Sequence, residues 1–323
     1  MKLSLLDRSR TRAGRPEREG LTGSVERAVL AERVGYERFW VAEHHAVPGI
    51  ASGSPAVLLA AIGARTDRIR LGSGGVMLPN HQPLVVAEQF LMLEALHPGR
   101  IDLGIGRSLG FTPAVRAALR HDLDAVDSFE DDLAELADLL DGTGPVTPHP
   151  VAPARVPVSL LATGQGLAIA ARHGLPVVVG GPILAQDSIG AALDTYRRDF
   201  QPSKQAVDPH VTISLDVTVA ADDATARELA LPEAWAMARS RQTGEFPPLE
   251  PVAAIHAQDW SAQVRQRVEK SLAGAVAGSP ATVRRMLDDL AERTGADELM
   301  ASTSTYDREA LLESDRLLRD LVP

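Results

Sequence analysis

The chain contains no cysteine, which excludes disulfides, thiolate metal sites and a cysteine nucleophile together. Any nucleophile must be an oxygen, a nitrogen or part of a bound cofactor. Lysine is nearly as scarce, confined to Lys2, Lys204 and Lys270, and there is no basic run. With a formal net charge of -10, the chain opposes the phosphate neutralisation that nucleic-acid binding requires, so no nucleic-acid partner is expected. No apolar run reaches membrane-spanning length, and Asp7 and Arg8 end the first apolar stretch too soon for a signal-peptide core. The expectation is a cytoplasmic protein with no membrane partner. Two further motifs are missing. No G-x-G-x-x-G follows an early strand, which argues against a built-in nicotinamide domain, and no HExxH-type spacing or third ligand accompanies the histidines, so no metal is expected.

Hydrophobic residues make up 45% of the 323-residue chain and charged residues 24%, enough to bury a large core without staples. By length alone roughly two domains would fit, but α/β barrels commonly exceed ~250 residues as one domain. Eight apolar, β-branched segments can be read at 2–7, 38–42, 69–77, 100–104, 157–162, 176–179, 211–219 and 298–302. Helical periods fill the gaps at 24–34, 55–64, 83–96, 128–140, 167–173, 185–200, 223–241, 260–272, 280–293 and 307–321. Gly35, Gly99, Gly174 and Gly295 each stand just past a helix, and Ser279-Pro280 pairs a capping hydroxyl with a first-turn proline. Strict strand–helix alternation demands parallel strands with right-handed crossovers, and eight of them close most naturally into a (β/α)8 TIM barrel over residues 1–323. Two segments break the rhythm: 142–155, rich in proline, and 244–272, whose start at 244–251 is either a connector or an active-site lid.

Four segments carry chemistry-bearing residues. Phe39-Trp40-Val41-Ala42-Glu43-His44-His45 is a short apolar strand running into a carboxylate and two imidazoles, the way a barrel delivers reactive groups to its catalytic rim. Side chains alternate along a strand end, so His44 and His45 point differently and only one enters the mouth; helix capping or interface support is the structural alternative for the pair. In the second, Gly72, Ser73, Gly74 and Gly75 interrupt an apolar strand, as at a bulge, beside a flat ligand, or where strands cross tightly inside a barrel. The third places Arg107 in Gly106-Arg107-Ser108, able to reach an anion from a strand end, or simply solvated on a loop. The fourth, Ala162-Thr163-Gly164-Gln165-Gly166, opens a helix whose free N–H groups and threonine hydroxyl could cradle a phosphate; it lacks the lysine of a P-loop, and a plain strand-to-helix turn is the alternative.

Taken in order, these segments resemble the bacterial luciferase-like family of flavin-dependent monooxygenases and oxidoreductases. The likeness spans nearly the whole chain and is strongest in WVAEHH, in SPAVLLAAIGARTDRIRLGSGGVMLPNH and in VVAEQFLMLEALHPGRIDLGIGR. What the resemblance implies is a barrel that binds FMN at the C-terminal ends of its strands. His44 matches the active-site histidine near the flavin. Gly74-Gly75 matches a strand bulge, often with a non-prolyl cis peptide, behind the ring. Arg107 and Ala162, Thr163, Gly164, Gln165 and Gly166 match the groups that hold the FMN phosphate, and Glu88 falls where these barrels pair as homodimers. The chain departs from the luciferase catalytic subunit at Gly106, where that subunit has cysteine, and at Ala162, where it has glutamate; its long lid is here shortened to 244–251. Light emission is therefore not carried over.

The function so implied is an FMN-dependent monooxygenase that takes reduced FMN from a separate flavin reductase and uses dioxygen to oxidise a small organic substrate. The glutamate before two histidines favours FMN over deazaflavin, whose users often show aspartate before a single histidine. A deazaflavin- or nicotinamide-linked hydride-transfer enzyme and a non-catalytic flavin-binding protein are the competing readings. For the leading one, His44 is expected to handle protons with a pKa near working pH while His45 is structural.

Overall fold

The computed structural model describes residues 1–110, 112–120 and 127–322. Its strands are β1 (Lys2–Asp7), β2 (Arg38–Val41), β3 (Arg70–Ser73), β4 (Val76–Met77), β5 (Ile101–Gly106), β6 (Val158–Leu161), β7 (Val177–Gly180), β8 (Val211–Leu215), β9 (Val217–Val219), β10 (Val276–Gly278) and β11 (Glu298–Ala301). Every pairing in the main sheet is parallel, in the order β3-β2-β1-β11-β8-β7-β6-β5-β4. A further pairing of Leu71 with Ile101 and Gly72 with Asp102 joins β3 to β5 and closes the barrel. The architecture is a (β/α)8 TIM barrel, because parallel neighbours can be linked only by crossovers and the helices supply them.

Alternation along each strand sorts side chains into two shells. Phe39 and Val41 of β2, Leu103 and Ile105 of β5, and Val177 and Val179 of β7 are buried against the helix ring. Each such side chain contributes about 1.5–3 kcal/mol through burial. The inward shell is different. Trp40, Val178 and Met300, with Leu6 and Leu161 against them, fill the middle of the barrel. Below them a charged layer closes the floor: Arg38 bonds Asp102 at 2.8 Å and Glu298 at 3.1 Å, and Arg70 bonds Asp102 at 2.6 Å.

Several boundaries differ from the sequence reading. The first helix starts at Arg18, not residue 24; Gly20 and Gly23 weaken its propensity, but a Cβ at Gly20 would lie 2.8 Å from the Ser9 carbonyl, so close packing requires them. The run 211–219 is split at Asp216, whose carboxylate accepts from Arg8 at 2.6 Å and from Ser302 at 2.9 Å. Beyond that break β9 pairs with β10 in a separate two-stranded parallel sheet. Segment 142–155 is irregular, with a cis His149–Pro150 bond. Segment 244–272 is not irregular throughout: it contains helices Val252–His256 and Ala262–Ala273. The second is capped by Ser261 and buries Val264, Val268 and Leu272 at helical spacing against Trp235 and its neighbours.

Candidate active site

The C-terminal end of β2 delivers Glu43, His44 and His45 to one rim of the barrel. Glu43 is only 3% exposed. Its Oε1 lies 2.7 Å from Nε2 of His45 and 2.7 Å from Nε2 of His81, while Oε2 accepts from the Met77 N–H at 3.1 Å. Burial opposes its ionisation, but the bonds from His81, His45 and Met77 prevail and hold the carboxyl below the usual range. An ionised carboxylate only accepts, so both imidazoles donate from Nε2. His81 was not singled out in the sequence, although it ends the next strand segment in the same manner. It supplies the third group of a Glu43–His45–His81 cluster whose polar atoms lie within 4.8 Å of one another, close enough to hold a cation. In the structure as it stands the three satisfy one another.

His44 faces different neighbours. Burial depresses its pKa to about 4, and the nearby Arg8 and Arg10 guanidinium groups push the same way. The imidazole is therefore neutral at working pH, and the expected pKa near neutrality does not hold. Its surroundings are a buried charge network: Arg8 bonds Asp216 at 2.6 Å and Glu233 at 3.2 Å, and Arg10 bonds Glu233 at 2.9 Å. These pairs join positions more than 200 residues apart, and no local pattern announces them.

The interruption between β3 and β4 falls at Gly74-Gly75, whose peptide bond is cis. The small residues around it make room for core side chains. A Cβ at Gly72 would strike the Trp40 indole, one at Gly104 would lie 2.6 Å from Trp40 Cζ3, and one at Gly75 would lie 2.8 Å from the Gly104 carbonyl. A Cβ at Gly106, by contrast, would meet only the Val76 carbonyl among the described residues, at 3.8 Å.

Arg107 and Gln165 line one cavity of ≈ 350 Å³, together with Asp127, Glu130 and Arg172. Arg107 is ion-paired with Asp127 and stacks 5.8 Å from the Phe129 ring; Arg172 bonds Glu130 at 2.8 Å. Thr163, Gly164 and Gln165 are exposed, and Gly164 takes a φ of 55° before the helix Gln165–His173, a conformation that favours glycine. Ala162 is 2% exposed and its N–H donates to the Val178 carbonyl at 3.0 Å, so it presents almost no surface to a ligand. A Cβ at Gly166 would lie 3.2 Å from the Ala162 methyl. Segment 244–251 is strapped down: Phe246 accepts from the Gly49 N–H at 2.8 Å, Leu249 exchanges backbone bonds with residues 11–13, and Arg10 lies 4.3 Å from the Phe246 ring. It is a packed cover over the ends of β1 and β2.

Residues 1–298 match the family model described as luciferase-like monooxygenase. The chain belongs to this family. A luciferase-like monooxygenase from Escherichia coli (strain K12) is 38% identical over 325 residues, covering 98% of this chain and 96% of its own length. Among solved structures, apo-MsnO8 superposes with a TM-score of 0.89 at 36% identity, over 99% of this chain and 97% of its own. The oxygenating constituent of 3,6-diketocamphane monooxygenase from Pseudomonas putida, a type II Baeyer–Villiger enzyme in complex with FMN, has a TM-score of 0.74 at 19% identity, over 99% and 96% of the two chains. That last likeness concerns the fold alone. As a luciferase-like monooxygenase the protein is an enzyme of the oxidoreductase class, which sets aside the non-catalytic reading.

Proposed function

We propose that the protein is an FMN-dependent monooxygenase that receives reduced FMN from a separate reductase, uses dioxygen and oxidises a small organic substrate. The observation that carries the reading is the shared rim: neutral His44, the Gly74-Gly75 interruption and the Arg107–Gln165 cavity all stand at C-terminal strand ends, where barrel enzymes hold their chemistry. The rim also fits the group. Arg107 and the exposed Thr163–Gln165 turn at the start of Gln165–His173 suit a phosphate, and the space at Gly106 suits a planar ring.

When bound, the flavin supplies the dioxygen chemistry. The chain's own part is positioning and charge. His44 is unprotonated at neutral pH, with a pKa of about 4, and so presents a neutral imidazole able to hydrogen-bond a group at the rim. Arg8 and Arg10, held by Asp216 and Glu233, add to burial in keeping His44 unprotonated. Phe246 and Met237, packed with Val47 and Ile50, shield that corner from water.

Fluorescence titration tests the cofactor. Arg107→Ala should weaken FMN about tenfold or more and leave riboflavin, which has no phosphate, nearly unchanged. Equal weakening of both would remove Arg107 from the phosphate site. The proposal includes a homodimer through the helices Pro55–Gly63 and Pro83–Leu96. They expose Val57 (72%), Val85 (46%), Met92 (52%) and Leu96 (64%), a cluster that water does not favour. A monomer mass by light scattering at micromolar concentration would contradict the dimer.

A further inference from the structure

A second cavity, of ≈ 770 Å³, opens at the ends of β7, β8, β11 and β1, where it is lined by Gly181, Asp216, Ser302 and Arg8. Its far wall is the helix Ala262–Ala273, which contributes Arg267 and Lys270, with Arg241 and Arg293 from neighbouring helices. The charge of this lining is the reverse of the protein's. Five cationic side chains face one carboxylate, Asp216, in a chain of formal net charge -10. Asp216 is already taken by Arg8, at 2.6 Å. Arg241, Arg267, Lys270 and Arg293 enter no ion pair among the described residues. Arg267 goes further: its Nη1 is buried and has no hydrogen-bond partner.

A buried guanidinium nitrogen without an acceptor is unfavourable unless a ligand completes it. The rest of the lining mixes apolar side chains, Leu215, Met237 and Leu290 among them, with the polar Gln186, Ser214, Ser271 and Ser302. The volume lies in the range of small-molecule sites, ~300–1,000 Å³. We infer that this cavity binds the substrate, and that the substrate is an organic oxyanion, a carboxylate or sulfonate with an apolar body, whose head group is held by Arg267 and Lys270. Arg8 links the cavity to the catalytic rim, since the same side chain lines the cavity and acts electrostatically on His44. An anion anchored at the helix wall has Arg8, at the end of β1, on the same cavity as its apolar body. The role of this ligand as substrate rests on the proposed monooxygenase reading; its binding does not.

Calorimetric titration of the purified protein with hexanoate, hexanesulfonate and hexanamide tests the inference. Both anions should bind, and the uncharged amide of equal length should bind at least about tenfold more weakly. Arg267→Gln and Lys270→Gln should each weaken the anions by about tenfold with little effect on the amide. Lys270→Gln, at an exposed position, keeps the test standing should Arg267→Gln fail to fold. Comparable binding of amide and anions, or no binding of any of the three, would overturn the inference. FMN titrated into the same variants separates the other source of an oxyanion: if Arg267→Gln weakens FMN and spares hexanoate, the cluster serves the flavin phosphate and the inference fails. Anion binding that persists in a protein inert toward reduced FMN and air would instead count against the monooxygenase reading alone.

Discussion

Nε2 of His81 lies 2.7 Å from Oε1 of Glu43, tying the end of the interrupted third strand to the end of the second. Because the same oxygen also accepts from His45, one buried carboxylate fixes two imidazoles and, through Met77, the backbone of β4. Glu43→Ala should cost about 1–3 kcal/mol in urea unfolding by leaving these donors unmatched. His45→Ala should cost less, since its side chain is 21% exposed and water can replace it. A Glu43→Ala protein as stable as the parent would show that the cluster holds nothing together.

His44 yields a pH prediction whose sign is set by its neighbours. Its folded pKa of about 4 lies below the ordinary 6.5, so between these values the unfolded chain binds the extra proton. Stability should therefore fall as pH drops from 6.5 to 4, with a slope approaching about 1.4 kcal/mol per pH unit from this group. His44→Asn should flatten that window while leaving the neutral-pH stability close to the parent. Unfolding curves measured across the window check it; an unchanged slope would mean that His44 titrates normally.

Glu298 acts in a lower window. Burial resists its ionisation, but the His210 imidazole 3.5 Å away and the bonds from Arg38 and Ser4 win and bring the carboxyl down to about 2 from 4.5. Its contribution is complete above pH 4.5 and is lost as pH falls toward 2. Glu298→Gln should lower neutral-pH stability by about 2–4 kcal/mol and shrink the acid dependence below pH 4.5. Acid unfolding of the two proteins in parallel would reveal a matching loss if the floor layer is not stabilising.

Trp40 explains the glycines at 72 in β3 and 104 in β5, where any Cβ would meet its indole. Gly72→Ala would drive a methyl into the indole and should cost about 1–3 kcal/mol. In a Trp40→Leu background that cost should largely vanish, a coupling that a double-mutant cycle measures directly. Additive costs would assign the glycine to something other than the indole.

The fold was readable because period-2 and period-3.6 apolar patterns are local, and the eight barrel strands all stand where those patterns fall. What escaped is what depends on distant partners. Asp216 breaks the run 211–219 because Arg8 claims its carboxylate, and β10 is three residues long with no alternation to show. The site divides in the same way. Glu43, His44 and His45 are adjacent and conspicuous, whereas His81 and the Arg8–Asp216–Glu233–Arg10 network exist only once the barrel brings strand ends together. The depressed pKa of His44 follows from that network and from burial, neither of which a strand-end motif contains.

The most direct measurement of the central claim is stopped-flow mixing of the protein, loaded with reduced FMN under anaerobic conditions, with air-saturated buffer. An FMN-dependent monooxygenase should hold the flavin against simple autoxidation, so reoxidation without substrate should be markedly slower than that of free reduced FMN. His44→Ala, with FMN affinity retained, should lose this protection or lower turnover by roughly 10²–10⁴-fold. Reoxidation at the rate of free reduced FMN, or substrate turnover that continues undiminished without dioxygen, would contradict the account.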